Sequence, residues 1–201
     1  MIAVVDYDAG NLRSVETALR FVGAEFQVTR SPELVKTADR VIFPGVGEAS
    51  HAIGVLRERG LDQALRDVAA AGRYVLGICL GAQIVLDYSE ENDTTCLGLI
   101  PGAAKLFPPR EGLKVPQIGW NTVEWESDTP LFRGIPSGSS FYFVHSYYPK
   151  AESPAYEIAS CEYSVRFSAA LQRANVVATQ FHPEKSGTVG LQLLKNFIDM
   201  P

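Results

Sequence analysis

Cysteine, histidine and positive charge are all scarce in this sequence, and no long apolar run occurs in it. Its 201 residues include three histidines and three cysteines, Cys79, Cys96 and Cys161, which are spaced neither as a metal site nor as a disulfide framework. No run could span a bilayer, and the first residues lack the basic start of a secretory signal. We therefore expect a cytoplasmic protein that holds no metal and does not enter a membrane.

The charge balance and the apolar content further limit what kind of protein this chain can be. The formal net charge is −5 and the isoelectric point is near 5.2, so the chain has no electrostatic footprint for binding nucleic acid. Hydrophobic residues make up 46% of it, enough for a substantial core. We find no internal repeat, low-complexity tract or linker, and expect residues 1–201 to form a single domain.

Short β-branched runs alternate with amphipathic stretches through the first half of the chain. This alternation is typical of an α/β fold whose parallel strands are joined by helical crossovers. Between residues 94 and 163 the pattern changes to short strands separated by glycine and proline, which predicts an antiparallel extension. The predicted strands are 2–6, 25–29, 40–43, 74–78 and 176–181; the predicted helices are 12–22, 50–71 (one broken or two short), one beginning near 80, and 186–199.

A cysteine lies between two glycines where a predicted strand meets a predicted helix, in the run Gly77-Ile78-Cys79-Leu80-Gly81. This is the context of a nucleophile elbow, in which glycines permit a crowded turn and the helix start stabilises a thiolate. The alternative is a small buried residue that fills the junction. Cys79 is therefore a candidate nucleophile.

A histidine that could serve this cysteine lies in Gln180-Phe181-His182-Pro183-Glu184, at the end of the last predicted strand. Residues two apart in an extended run project to the same side, so Glu184 can orient the ring of His182 and support its charge. Alone, such a run is usually a polar turn. Because the carboxyl ends of parallel strands meet at one edge of a sheet, we expect His182 to lie beside Cys79.

The run Pro44-Gly45-Val46-Gly47 follows another apolar strand. Acyl transfer needs N–H donors aimed at the developing oxyanion, and the glycines around Val46 let its peptide approach or reorient. We expect the N–H groups of Val46 and Leu80 to form an oxyanion hole, although an ordinary glycine turn would have the same sequence.

Together these runs resemble the class I (triad-type) glutamine amidotransferases. Within that superfamily, the chain is most similar to the glutaminase subunits of imidazole glycerol phosphate synthase. Further segments carry this resemblance: Asp6-Tyr7-Asp8-Ala9-Gly10-Asn11-Leu12-Arg13-Ser14-Val15, Ala82-Gln83 after the elbow, Gly119-Trp120-Asn121, Tyr142-Phe143-Val144-His145-Ser146-Tyr147 and Lys185-Ser186. Ala82 and Asp8 depart from what we expect of the family.

The resemblance implies a three-layer fold with a mostly parallel central sheet between helices and a small antiparallel extension. It implies that Cys79, His182 and Glu184 form a catalytic triad that hydrolyses L-glutamine without a cofactor. Further positions match the binding of glutamine or its carboxylate: Gln83, Glu91, Ser146 and Tyr147. Trp120 and His145 would face a partner or the ammonia exit, and Cys96 and Cys161 would be structural.

The sequence has no Walker-type loop or other recognisable site for a phosphorylated acceptor, so another protein would have to use the ammonia. The resemblance implies which protein that partner is. By the resemblance, that partner would be a (β/α)8-barrel cyclase, joined to this chain as a heterodimer in histidine biosynthesis. Because an uncoupled glutaminase would waste glutamine, we also hypothesise that the Val46 N–H points away until this partner is loaded. Two other interpretations stay open. One is the glutaminase subunit of pyridoxal phosphate synthase, and the other is a non-catalytic binding or stress-response protein with an oxidation-sensitive cysteine.

Overall fold

The computed structural model describes residues 1–8, 11–126 and 128–201. Ala9 and Gly10 of the N-terminal motif therefore lie outside the described residues. The strands are β1 (Ile2–Val5), β2 (Phe26–Thr29), β3 (Arg40–Gly45), β4 (Tyr74–Cys79), β5 (Tyr88–Ser89), β6 (Thr94–Thr95), β7 (Gly102–Leu106), β8 (Gln117–Glu124), β9 (Ser139–His145), β10 (Tyr147–Ala151), β11 (Glu157–Tyr163), β12 (Val165–Arg173) and β13 (Val176–Thr179). The helices are α1 (Leu12–Phe21), α2 (Pro32–Thr37), α3 (Ala49–Glu58), α4 (Leu61–Ala70), α5 (Leu80–Ile84) and α6 (Gly187–Asp199).

A nine-stranded sheet in the order β2-β1-β3-β4-β13-β12-β11-β8-β9 forms the centre of the fold. Its first five strands are parallel, and its last four add on in antiparallel fashion. A second, four-stranded sheet has the order β10-β7-β5-β6. The α/β prediction is confirmed, and the antiparallel part is larger than the small extension we expected.

The alternation of side chains along β1 assigns the helices to the two faces of the sheet. Ile2 and Val4 belong to a buried cluster that includes apolar residues of α1 and α6. Ala3 and Val5 belong to a second cluster, which includes apolar residues of α2, α3, α4 and α5. Because successive residues of a strand point to opposite faces, β1 is covered on both sides, as parallel sheets generally are.

Three elements were absent from the sequence-based prediction, and the two-residue strand β5 is one of them. The short helix α2 begins after Ser31, whose hydroxyl accepts a hydrogen bond from the N–H of Leu34 at 3.4 Å. Strand β12 is the longest in the sheet at nine residues, and it pairs with both β11 and β13. The stretch 50–71, which the sequence predicts as one broken or two short helices, is two helices, separated at Gly60, which has a left-handed φ of 68°.

The sheet brings the ends of three parallel strands together. Strand β4 lies between β3 and β13, and the register pairs Gly45 with Cys79 at the ends of β3 and β4. Strand β13 ends at Thr179, so His182 follows within three residues of the same edge. The three runs singled out in the sequence therefore meet at one place. No helix in the described ranges is both long and apolar enough to cross a membrane.

Candidate active site

Cys79 occupies a strained turn between β4 and α5. Its backbone angles, φ 55° and ψ −104°, lie outside the regions that residues with a side chain normally adopt. Such strain costs of the order of 1–3 kcal/mol and is found mostly at functional sites. The glycine at 81 makes the turn feasible, because a Cβ there would lie 2.2 Å from the carbonyl oxygen of Phe43. The predicted elbow conformation is therefore present.

His182 and Glu184 form a buried pair behind Cys79. Nδ1 of His182 lies 2.7 Å from Oε1 of Glu184, and the side chains are 1% and 0% exposed. A short 3₁₀ turn, Pro183–Lys185, joins them. Ser186 fixes this turn, because its hydroxyl donates to the carbonyl of His182 and accepts from the N–H of Tyr142. The ring therefore has one nitrogen held by a carboxylate, which leaves Nε2 available for chemistry.

The free nitrogen of His182 responds to the charge of Cys79. Burial by itself lowers the pKa of His182, but Cys79 and then Glu184 outweigh it and raise this pKa to about 10. Nε2 makes no aligned hydrogen bond to a described residue, so we attribute the effect of Cys79 chiefly to charge attraction. A protonated imidazole beside a cysteine sulfur is the arrangement in which a cysteine acts as a nucleophile.

This pairing predicts how His182 titrates. Since its folded pKa is raised from 6.5, the imidazolium's contribution to stability is complete below pH 6.5 and is lost as the pH rises through about 10. In Cys79→Ala the main raising cause disappears, so the pKa of His182 should fall well below 10. An NMR titration of the ring measures it. Cys161→Ala is the matched control, and a pKa that stays near 10 in Cys79→Ala would rule out the pair.

A cavity of about 310 Å³ opens above Cys79. This volume is at the lower end of the range for small-molecule sites, about 300–1,000 Å³. Every residue predicted for substrate binding or the oxyanion hole lines it, together with the nucleophile, and the full lining is Val46, Gly47, Cys79, Leu80, Gln83, Glu91, Pro116, Val144, His145, Ser146 and Tyr147. His182 and Glu184 lie behind this lining. The structure therefore brings together all the residues that the sequence analysis assigned to the site.

Two of the predicted binding residues are held by the protein itself. The amide nitrogen of Gln83 donates to the carbonyl of Tyr147 at 2.8 Å and to Oε1 of Gln180 at 3.0 Å. Glu91 accepts the N–H of Ala49 at 2.7 Å, at the start of α3. Burial raises the pKa of Glu91, the Ala49 N–H lowers it, and the net shift is upward. Both side chains are fixed at the cavity wall.

Two contacts of the triad were missed by the sequence analysis. Gln180 donates through its side-chain amide to the sulfur of Cys79, with nitrogen and sulfur 3.6 Å apart. Asn11 donates to Oε1 of Glu184 at 2.5 Å, across 173 positions of the chain. Both residues belong to motifs that carry the family resemblance, but only the folded structure brings Asn11 to the triad. Gln180 and Asn11 therefore contact Cys79 and Glu184 directly.

The remaining candidate residues are placed as follows. His145 is buried, and burial lowers its pKa to about 4, so the ring is neutral and its Nδ1 donates to the Tyr147 carbonyl at 2.7 Å. His145 lines the cavity, whereas Trp120 lies on the surface and is 58% exposed. Burial raises the pKa of both Cys96 and Cys161 to about 12, which makes these thiols unreactive. Across the described residues, no group of side chains could hold a metal ion.

Comparison with known sequences finds a family model and many relatives. The model for class-I glutamine amidotransferases matches residues 3–200. Imidazole glycerol phosphate synthase subunit HisH of Dehalococcoides mccartyi is 46% identical over 201 residues, covering 100% of this chain and 97% of the relative. The protein of the same name from Nitratidesulfovibrio vulgaris is 48% identical, with 98% and 95% covered. The sequence match therefore extends over essentially the full length of both chains.

Comparison with solved structures finds the same fold at low sequence identity. The structure of PurLQS from Thermotoga maritima matches with a TM-score of 0.76 and 19% identity, covering 98% of this chain and 97% of that one. A structure described as a glutamine amidotransferase matches with a TM-score of 0.74 and 20% identity, covering 98% and 99%. At this identity the likeness is evidence for the fold alone.

Proposed function

We infer that this chain, which belongs to the class-I glutamine amidotransferase family, is the glutaminase subunit of an imidazole glycerol phosphate synthase. One observation carries this proposal. A cysteine in a strained elbow lies at a small cavity, backed by a buried His182–Glu184 pair. That arrangement suits nucleophilic attack on an amide, and the full-length relatives carry the name of this synthase subunit. Glutamine is hydrolysed to glutamate and ammonia.

Glutamine binds in the cavity with its side-chain amide over Cys79. The carboxylate of Glu91 suits the α-ammonium group of the substrate, because opposite charges attract strongly in a partly desolvated site. Gln83 can accept through its free Oε1, while Ser146 and Tyr147 close the wall at the α-carboxylate end. The substrate is thereby held at both of its charged groups, so its amide is presented to the thiolate.

The chemistry is then acyl transfer in two steps. The Cys79 thiolate attacks the amide carbon, and the C–N bond breaks as the His182 imidazolium gives its proton to the departing nitrogen, which leaves as ammonia. Water next gives a proton to His182 and attacks the glutamyl thioester. The C–S bond breaks, glutamate leaves, and the thiolate–imidazolium pair is restored. Glu184 orients the ring throughout.

The oxyanion of each step lies between Val46 and Leu80. Leu80 is the first residue of α5, so its N–H is among those that a helix leaves without an internal partner. Val46 follows Gly45, which is paired with Cys79 across the two strands. Both N–H groups can therefore reach the oxygen of a tetrahedral carbon that is bonded to the Cys79 sulfur. By stabilising the negative charge on that oxygen, they lower the barrier of both steps.

The ammonia is used by a second protein. We propose that this partner is a (β/α)8-barrel cyclase, which forms a cytoplasmic heterodimer with this chain and receives ammonia through the interface. The exposed side chains of Ile118 and Trp120, 64% and 58% accessible, give this chain an apolar patch suited to such a contact. A glutaminase that worked without its partner would waste glutamine. We therefore propose that the Val46 N–H points away from the cavity until the cyclase is loaded.

The proposal is tested by supplying glutamine to the cyclase with and without this chain. We expect the cyclase to form product from glutamine only when this chain is present, and from added ammonium salt without it. We also expect glutamate release by this chain to rise about tenfold or more in the loaded complex. Equal release by the isolated chain would contradict the coupling, and a cyclase that used glutamine unaided would contradict the function. Stimulation by a barrel protein of pyridoxal phosphate synthesis instead would favour the other glutaminase.

A further inference from the structure

The hydroxyl of Tyr7 is buried and has no hydrogen-bond partner among the described residues. Tyr7 follows β1, is 1% exposed, and packs its ring against Phe43 with centroids 5.0 Å apart. Burial, and then the charge of Cys79, raise the pKa of this phenol well above its ordinary value, so it keeps its proton. Buried hydroxyls are nearly always paired, and an unpaired one in a native structure requires an explanation.

The position of this hydroxyl is unusual. It occupies the space in which a side chain at residue 45 would lie, because a Cβ built on Gly45 would be 1.9 Å from the hydroxyl oxygen. The same point is 3.1 Å from Cβ of Leu80. The hydroxyl therefore touches Gly45, which precedes Val46, and lies close to Leu80. Val46 and Leu80 are the two proposed oxyanion donors.

Tyr7 lies behind the strand and outside the cavity. Neither Tyr7 nor Gly45 lines the cavity, whereas Val46 and Gly47 do. Tyr7 belongs instead to the apolar cluster beneath, which includes Phe43, Ala49 and Leu80. The hydroxyl thus approaches the Gly45–Val46 peptide from the face opposite to the substrate.

This placement gives the hydroxyl a role in one orientation of the peptide. In a trans peptide the C=O and the N–H point in opposite directions. When the N–H of Val46 faces the substrate, the carbonyl of Gly45 faces the core, where the hydroxyl lies. We propose that Tyr7 is a positioning residue: its O–H donates to the Gly45 carbonyl during turnover and so holds the Val46 N–H on the oxyanion. The inference rests on the proposed function, since it assumes Val46 as a donor.

Tyr7→Phe tests the role, because it removes only the oxygen. In the loaded complex with the cyclase, we expect kcat for glutamine to fall about tenfold, the equivalent of one neutral hydrogen bond, with KM changed less than about twofold. Tyr74→Phe is the matched control. It deletes a phenol oxygen at the opposite end of β4 from Cys79, and should leave kcat unchanged.

Two further readouts separate positioning from support of the fold. Alkylation of Cys79 by chloroacetamide is a displacement that needs no oxyanion hole, so its rate should be the same in Tyr7→Phe and wild type. The melting temperature should be equal or higher, because an unpaired hydroxyl is removed from the core. An unchanged kcat would overturn the proposal, as would a lower kcat accompanied by slower alkylation or a lower melting temperature. Failure of the wild-type complex to hydrolyse glutamine would instead refute the proposed function.

Discussion

Replacing His182 with glutamine is expected to lower kcat for glutamine hydrolysis by about 10³–10⁴-fold, with KM nearly unchanged. His182 does not line the cavity, so substrate binding should survive. Both chemical steps lose their proton donor and acceptor, and the Cys79 thiolate loses its counter-charge. Glutamine has a similar volume and an amide that can bond to Glu184, which limits disruption of this buried position.

The measurement is ammonia release by the loaded complex at saturating glutamine. His51→Gln is the matched control, because His51 is exposed on α3 and does not line the cavity. That variant should match wild type. If His182→Gln kept more than about a tenth of the wild-type kcat, another group would have to move the proton, and the assignment of His182 would be wrong.

The elbow at Cys79 and the pairing of His182 with Glu184 were predictable because their signals are local. A glycine-flanked cysteine at a strand–helix junction needs only the adjacent residues to define the turn, and His182 and Glu184 are two positions apart. That β3, β4 and β13 adjoin could also be expected, since successive parallel strands collect their carboxyl ends at one edge. The cavity lining then followed from the family resemblance, which supplied Gln83, Glu91, Ser146 and Tyr147.

The parts that were missed depend on contacts between distant segments. Asn11 reaches Glu184 only because α1 packs near the turn that carries the triad. The environment of Tyr7 exists only once β1 and β3 are paired, which places its ring on Phe43 and its oxygen at Gly45. No periodicity or spacing in the sequence predicts either contact, so neither residue could be assigned a role without the structure.

Secondary structure was missed where the local signals were weak. Helix α2 has six residues with only Val35 fully buried, too few for a helical period to show, although Ser31 followed by Pro32 is a valid helix start. Strand β12 contains a continuous buried run from Phe167 to Leu171, which lacks the alternation typical of a half-exposed strand. Its pairing on both edges, and not its own pattern, makes it a strand.

The competing interpretations differ in what they need from the site. A binding protein with an oxidation-sensitive cysteine would need neither the buried carboxylate behind His182 nor a cavity lined by Gln83 and Glu91. The full-length relatives share the name of one synthase subunit, which favours that subunit over the glutaminase of pyridoxal phosphate synthase. The identity of the barrel partner tests this choice by experiment.

Ammonia release from glutamine by wild type and Cys79→Ala, each with and without the cyclase, shows whether Cys79 is the nucleophile. Without the sulfur no glutamyl thioester can form, so we expect release to fall by at least about 10⁴-fold, to background. Cys161→Ala should behave as wild type, and the Cys79→Ala complex should still use added ammonium salt. We predict glutaminase activity that depends on Cys79 alone among the three cysteines. Activity that survived in Cys79→Ala would contradict it.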